Sequence, residues 1–326
     1  MVDFVGLIVL VVLVALFGFL AYRAWGSRNA ILKWAGVILT GLLTLIFALA
    51  LILAVVGTMK LNQNYNTDHP VVEVKVASSP DKVAWGEKYA VFCAGCHSSN
   101  QALPLTGSNF GEELPFPIGT LYAPNLTPAG EIKDWSDGEV IRAIREGVHK
   151  DGRALVIMPS QIFHSLSDED VQSLVAYLRS QPATPPDTPR NNLNAIAAIL
   201  LATIGGSFQT VQPHIAQPVV APPAGVTVAR GTYMVNISGC RDCHGENLAG
   251  GIAGVGPPPG PNLTAIVPKW SEADFVKTIQ TGVDPTGHQL DPMQMPWKEI
   301  SAFASETDLK AMFAYLHGLQ ELPTNK

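Results

Sequence analysis

A chain of 326 residues is long enough for two domains of ordinary size and something more, and part of its 47% hydrophobic share lies in two leading apolar runs. Its net charge is −6, yet residues 1–60 hold four basic residues and one acid, which leaves −9 on the remainder. That acidic remainder is a poor match for nucleic acid or anionic lipid and suits a basic partner.

The first run, Phe4 to Tyr22, has no charge over 19 residues, and the second, Ala35 to Gly57, has none over 23. Each is long enough to cross a hydrocarbon core as a helix. A cleaved signal peptide would carry a positive n-region and a shorter apolar stretch, whereas Asp3 is the only charge ahead of the first run. Residues 1–60 therefore read as a membrane anchor of two helices, 4–22 and 35–57. Arg23, Arg28 and Lys33 lie between them without an acidic residue, which makes this loop cytoplasmic and puts everything after Lys60 outside. Trp25 and Trp34 flank the same loop, where amphipathic rings favour the membrane interface.

Residues 61–80 are polar with scattered valines and read as a tether. A first domain is expected over 81–183, followed by a proline-rich linker over 184–225. Within that linker lies an apolar stretch, 193–204, too short to span a bilayer and expected to pack between domains. A second domain follows over 226–322, and 323–326 is a tail. The two domains repeat one another. "APNLTP" answers "GPNLTA", placing Asn125 against Asn262, and "DWSDGEVIRAIREGV" answers "KWSEADFVKTIQTGV", placing Gly147 against Gly282. "SDEDVQSLVAYLRS" answers "SETDLKAMFAYLHG", placing Tyr177 against Tyr315. The periodicity is helical: Val140, Ile141, Ile144 and Val148 share one face behind a Ser N-cap. Neither copy contains a useful strand pattern.

Each copy opens with C-x-x-C-H: Cys93, Cys96 and His97 in the first, Cys240, Cys243 and His244 in the second. On a helix these positions share a face. Two thiols a turn apart can then add to the vinyl groups of a haem while the histidine binds its iron, so the pattern predicts two covalently attached haem c groups. A structural zinc site needs four ligands, and the chain has no further cysteine to complete one. A thioredoxin-like pair or disulfides across the arrays would leave the repeated histidines unexplained. Met158 and Met295 stand in register, each followed by proline, and supply the sixth iron ligand. Met293 competes with Met295 but lacks the proline and the register. Asn125, Asn236 and Asn262 match glycosylation acceptors, although at Asn125 and Asn262 the repeat favours a loop closing over the cofactor.

"CAGCH…MP" and "CRDCH…MPW" resemble class I cytochrome c, twice over. Flanking elements such as "NLTP…W", "REGV…DGR" and "TGVDPTG" resemble the di- and tri-haem cytochrome subunits that accept electrons for membrane-bound dehydrogenases. The resemblance covers about 200 of the 326 residues. It implies an all-helical fold around each haem, so with the two apolar runs the chain is expected to be all-α, two transmembrane helices followed by two class I cytochrome c domains in tandem, although such dehydrogenase subunits usually have no N-terminal anchor of this kind. It also implies thioether attachment at Cys93, Cys96, Cys240 and Cys243, and axial ligation by His97 and Met158 in one domain and His244 and Met295 in the other. The expected role is single-electron transfer between protein redox partners in a multi-subunit complex, respiratory or photosynthetic, on the outer face of a bacterial cytoplasmic membrane. No catalytic chemistry, small-molecule substrate or nucleic acid is expected. A di-haem peroxidase and the di-haem subunit of a C-family haem–copper oxidase are the alternatives.

Overall fold

The computed structural model describes residues 4–114, 116–204, 211–253 and 258–326. Asp3, part of the linker and residues 254–257 of the second glycine-rich loop lie outside the described residues.

Almost all the regular structure among the described residues is helical. Helices α1 (Phe4–Trp25) and α2 (Ala30–Leu61) form an antiparallel pair, capped at the turn by the Asn29 side chain. Phe17 stacks on Phe47 at 5.4 Å, and Trp25 meets Trp34 edge-on at 5.8 Å beside Lys33. No residue of α1 is buried, and only Ala54 and Gly57 of α2 are, so this pair is not the core of the rest of the molecule. At about 1.5 Å per residue α2 is about 48 Å long and outreaches a ~30 Å hydrocarbon core. Both helices extend a few residues beyond the spans expected from hydropathy.

The first copy comprises α3 (Pro80–His97), α4 (Asp137–Glu146), α5 (Ser160–Phe163) and α6 (Asp168–Ser180). Next come α7 (Ala195–Ile204) in the linker, then α8 (Val228–Ile237) and α9 (Cys240–His244). The second copy closes with α10 (Leu263–Ile266), α11 (Glu272–Thr281), α12 (Trp297–Phe303) and α13 (Glu306–His317). The one sheet among the described residues is a two-residue antiparallel pair, β1 (Gly119–Thr120) with β2 (Asn192–Leu193), which fastens the long first-copy loop to the linker.

Equivalent helices are built alike. Ser136 with Glu139 and Ser271 with Asp274 make capping boxes that start α4 and α11. Gly147 and Gly282 end them in the left-handed region, at φ 71° and 70°. In each copy the first and last helices cross through a glycine. A Cβ on Gly86 would sit 2.1 Å from the Ser173 carbonyl oxygen, and one on Gly231 would sit 2.0 Å from that of Ala311. Tyr177 and Tyr315, the repeated tyrosines, lie over these same crossings.

The two copies share one core. Tyr89 and Leu174 of the first belong to the same buried cluster as Met234 and Leu309 of the second. The exchange is reciprocal. Phe303 of α12 packs edge-on against Tyr89 and Phe92 of α3 at 5.3 and 5.4 Å. From the other side, Ile162 of α5 lies where a Cβ on Gly239, ahead of α9, would meet it at 3.0 Å. Tyr89 donates a 2.8 Å hydrogen bond to the Ile237 carbonyl, and Tyr233 accepts one of 3.0 Å from the Ser167 amide while donating to Asp170.

Two expectations need correction. The apolar helix α7 packs against the anchor rather than between the two repeated copies. Ala195 and Ala198 cluster with Ala54, and a Cβ on Gly57 would come 1.7 Å from the Ala198 carbonyl oxygen. Its other side joins Ile118 and Leu121 of the first copy. Residues 61–80, expected to be a tether, are strapped onto the first copy: Tyr65 bonds the Gly152 carbonyl at 2.8 Å and Val76 the Asp137 carboxylate at 2.9 Å. Short polar segments reveal such long-range contacts through no periodicity. The two arrays also differ in setting: the second C-x-x-C-H does not continue a long helix as the first does, because Gly239 at φ 69° breaks α8 from α9.

Candidate haem sites

In the first copy the array occupies the last turn of α3, and in the second it is the whole of α9. The histidines that end these segments are buried, with His97 8% and His244 7% exposed. Each is held by the loop carrying the repeated NLT element. His97 Nδ1 lies 2.8 Å from the Pro124 carbonyl oxygen, and His244 Nδ1 lies 2.7 Å from that of Pro261. A carbonyl oxygen can only accept, so Nδ1 carries the proton and Nε2 keeps its lone pair. Burial lowers the pKa of both imidazoles, which keeps them neutral. A neutral ring, oriented through Nδ1 and offering Nε2, is what a metal-ligating histidine requires.

The NLT element thereby gains a physical meaning. Asn125 donates to the Thr184 carbonyl at 2.7 Å and receives the Thr127 amide at 2.8 Å. Asn262 donates to the Leu322 carbonyl at 2.8 Å and receives the Thr264 hydroxyl at 2.7 Å. Each asparagine ties the proline-bearing loop to the segment after its copy's last helix. Both side chains are buried and engaged, which leaves no amide for a glycan.

The cysteines form no disulfide. Burial pushes the Cys93 and Cys240 thiols up to about 12 and raises Cys243 as well. Neither array gathers three metal-ligating groups among the described residues. Met158 and Met295 are partly buried and pack against the common core, whereas Met293 is 73% exposed. Each methionine opens a short helix through a proline cap, Pro159 before α5 and Pro296 before α12. Those are the helices that reach across to the other copy, a consequence that the register of two methionines could not disclose. Each copy thus offers two thiols, one imidazole with a free Nε2 and one thioether packed against the core. This set fits haem c and does not fit zinc.

Sequence reasoning missed Pro124 and Pro261 as orienting groups, although "PNLT" recurs in both copies. It also missed Gly86 and Gly231, for which the signal was a glycine ahead of each array in an otherwise dissimilar stretch.

Small all-α units that present a paired-thiol and imidazole array with an oriented histidine define the class of covalent haem proteins. The cytochrome c family profile matches residues 83–182 and 228–320, and the chain belongs to that family. Electron transfer through covalently bound haem c is therefore its chemistry. Among curated relatives, one of the subunits that make up the nicotinate dehydrogenase of Pseudomonas putida is 30% identical over 249 residues, covering 71% of this chain and 20% of the relative. The cytochrome c subunit of the quinone alcohol dehydrogenase of Gluconobacter oxydans is 28% identical over 260 residues, 72% of this chain and 53% of the relative. The fructose dehydrogenase cytochrome subunit of Gluconobacter japonicus is 24% identical over 248 residues, 71% and 50% respectively. The chain spans about half the length, or less, of these relatives.

Proposed function

We propose that this chain is a membrane-anchored di-haem cytochrome c that passes single electrons between protein partners of a dehydrogenase complex outside the cytoplasm. Cys93 and Cys96 would hold one haem and Cys240 and Cys243 the other, with His97 and Met158, and His244 and Met295, as axial ligands. The observation that carries this reading is the repeated bond from histidine Nδ1 to a proline carbonyl, which frees Nε2 in both copies at once. Haem iron supplies a reversible one-electron couple when bound, and a thioether opposite imidazole favours the reduced state.

The protein's own residues contribute positioning and docking. Pro124 and Pro261 fix the imidazole planes, and the NLT loops hold those prolines. Tyr89, one turn before Cys93, reaches Ile237, three residues before Cys240, so the two arrays are held at a fixed separation. The common core favours passage between the copies without a diffusive step. Helices α1 and α2 would span the membrane, with the Arg23–Lys33 loop on the cytoplasmic side. Helix α7, wedged against the outer end of α2, would seat the first copy on the bilayer.

The dehydrogenase partner is suggested by the relatives, each of them part of a dehydrogenase. The chain would be purified from its own membranes with its partners, and the reduced haem band followed as alcohols, sugars or N-heteroaromatic acids are added. Reduction that depends on one substrate class supports the proposal. Co-purification with an oxygen reductase, and a band that no dehydrogenase substrate reduces, would replace the dehydrogenase with a terminal oxidase.

A further inference from the structure

Outside the haem sites, the described residues hold one group of three possible metal ligands: His69, Glu146 and His214. They come from three distant parts of the chain: the strap after α2, the last residue of α4, and the linker before α8. His69 Nδ1 lies 2.8 Å from Glu146 Oε2, and His214 Nδ1 lies 3.0 Å from Glu146 Oε1. The Ile215 amide donates to the same Oε1 at 2.9 Å. His69 and Glu146 are 6% and 5% exposed, and the three candidate ligand atoms lie within 4.8 Å of one another.

The repeat supplies an internal control. Glu146 ends α4 just before Gly147, and the equivalent residue before Gly282 is Thr281. Helix α11 keeps the same length, capping box and glycine terminus without a carboxylate there. Both histidines lie outside the repeated units. The cluster is therefore an addition to the first copy and not a requirement of the fold. A buried carboxylate is costly unless fully engaged, and this one is engaged by two imidazoles and a backbone amide.

We propose that His69, Glu146 and His214 bind a zinc-class divalent cation that clips the anchor strap and the linker to α4. Two imidazoles with one carboxylate are a zinc donor set. Calcium and magnesium would want more oxygen ligands, and copper(I) would want sulfur. A cavity of about 250 Å³ reaches Glu146 and Ile215 from the side of the cluster away from the two imidazoles. The backbone of His69 is held from behind, since Arg142 donates to its carbonyl at 2.9 Å. Arg142 and Arg145 also bring positive charge to this helix, only partly offset by the Asp168 partner of Arg145 at 2.6 Å. They oppose a bound cation and lower its affinity.

The test uses the full chain in detergent with its haem in place, stripped with chelator and titrated with zinc against a chromophoric competitor. One zinc per chain is expected, at a dissociation constant of about 1–10 μM. Glu146→Gln, and separately His69→Ala with His214→Ala, should weaken it by roughly tenfold or more, with the haem spectrum unchanged. Should those variants fold poorly, His214→Ala alone provides the reading, because that side chain is 25% exposed. No saturable zinc uptake by the parent protein, or uptake that His214→Ala leaves unaltered, would overturn the proposal.

Discussion

Tyr89→Phe removes one oxygen atom from the junction between the two copies and leaves the ring in place. The phenol is fully buried, and burial, with Cys93 and Tyr233 nearby, pushes its pKa well above the ordinary tyrosine value. It therefore remains a donor throughout the accessible pH range. Its acceptor, Ile237, is the last residue of α8, where carbonyls have no partner within the helix. Ile237 is itself 1% exposed, so water does not take the place of the lost hydroxyl. An unsatisfied buried carbonyl costs about 1–3 kcal/mol. The stacking of the ring on Trp85 and its edge contact with Phe303 are retained, which separates this variant from Tyr89→Ala, where a cavity would bring the loss to about 3–5 kcal/mol. The assay is denaturant unfolding of the haem-loaded protein, followed by haem absorbance and far-ultraviolet circular dichroism. Both signals should move to lower midpoint together, because the core is common. A change for Tyr89→Phe below about 0.5 kcal/mol would refute the bond's contribution, and signals that separate already in the parent would refute the single core.

Met158→Ala and Met295→Ala should each lower the potential of one haem and open it to an external ligand in a spectroelectrochemical titration. Met293→Ala should do neither, and the reverse pattern would move the ligand to Met293. Gly57→Val places a side chain against the Ala198 carbonyl, 1.7 Å from its first carbon, and should lower the thermal midpoint by an amount worth about 1–3 kcal/mol. Gly41→Ala, where a Cβ meets nothing within 4 Å, is the control. Burial raises the Asp170 carboxyl, against hydrogen bonds from Tyr233 and Ser167 that lower it. The folded state then holds this proton more tightly than the unfolded state, so its contribution is present at low pH and is lost as pH rises through the carboxylate range. Asp170→Asn should flatten that slope in stability measured between pH 3 and 7, and an unchanged slope would remove Asp170 as its source.

The helices, their caps and the repeat were legible because each is written locally. Ser136 and Ser271 announce helix starts, Gly147 and Gly282 announce their ends, and the apolar positions between them keep a helical period. The haem-binding arrays were legible because their spacing carries the chemistry. What remained hidden depends on partners far along the chain. Pro124 orients His97 across 27 residues, and Tyr89 reaches Ile237 across 148. His69 and His214 look like solvated residues of polar segments until Glu146 brings them together across 77 and 68 residues. Helix α7 gave no directional signal, being apolar on every side. Its place was decided by Gly57, whose missing side chain lets Ala198 approach α2.

The central claim, two haem c groups each ligated by histidine and methionine, is tested most directly by counting haem per chain and recording the oxidised absorption spectrum of the purified protein. Two covalent haems are expected, with the weak far-red band of methionine sulfur on ferric iron at full two-haem strength. One haem per chain, or a band at half strength, would contradict the account and direct attention to an open iron and to peroxidase chemistry.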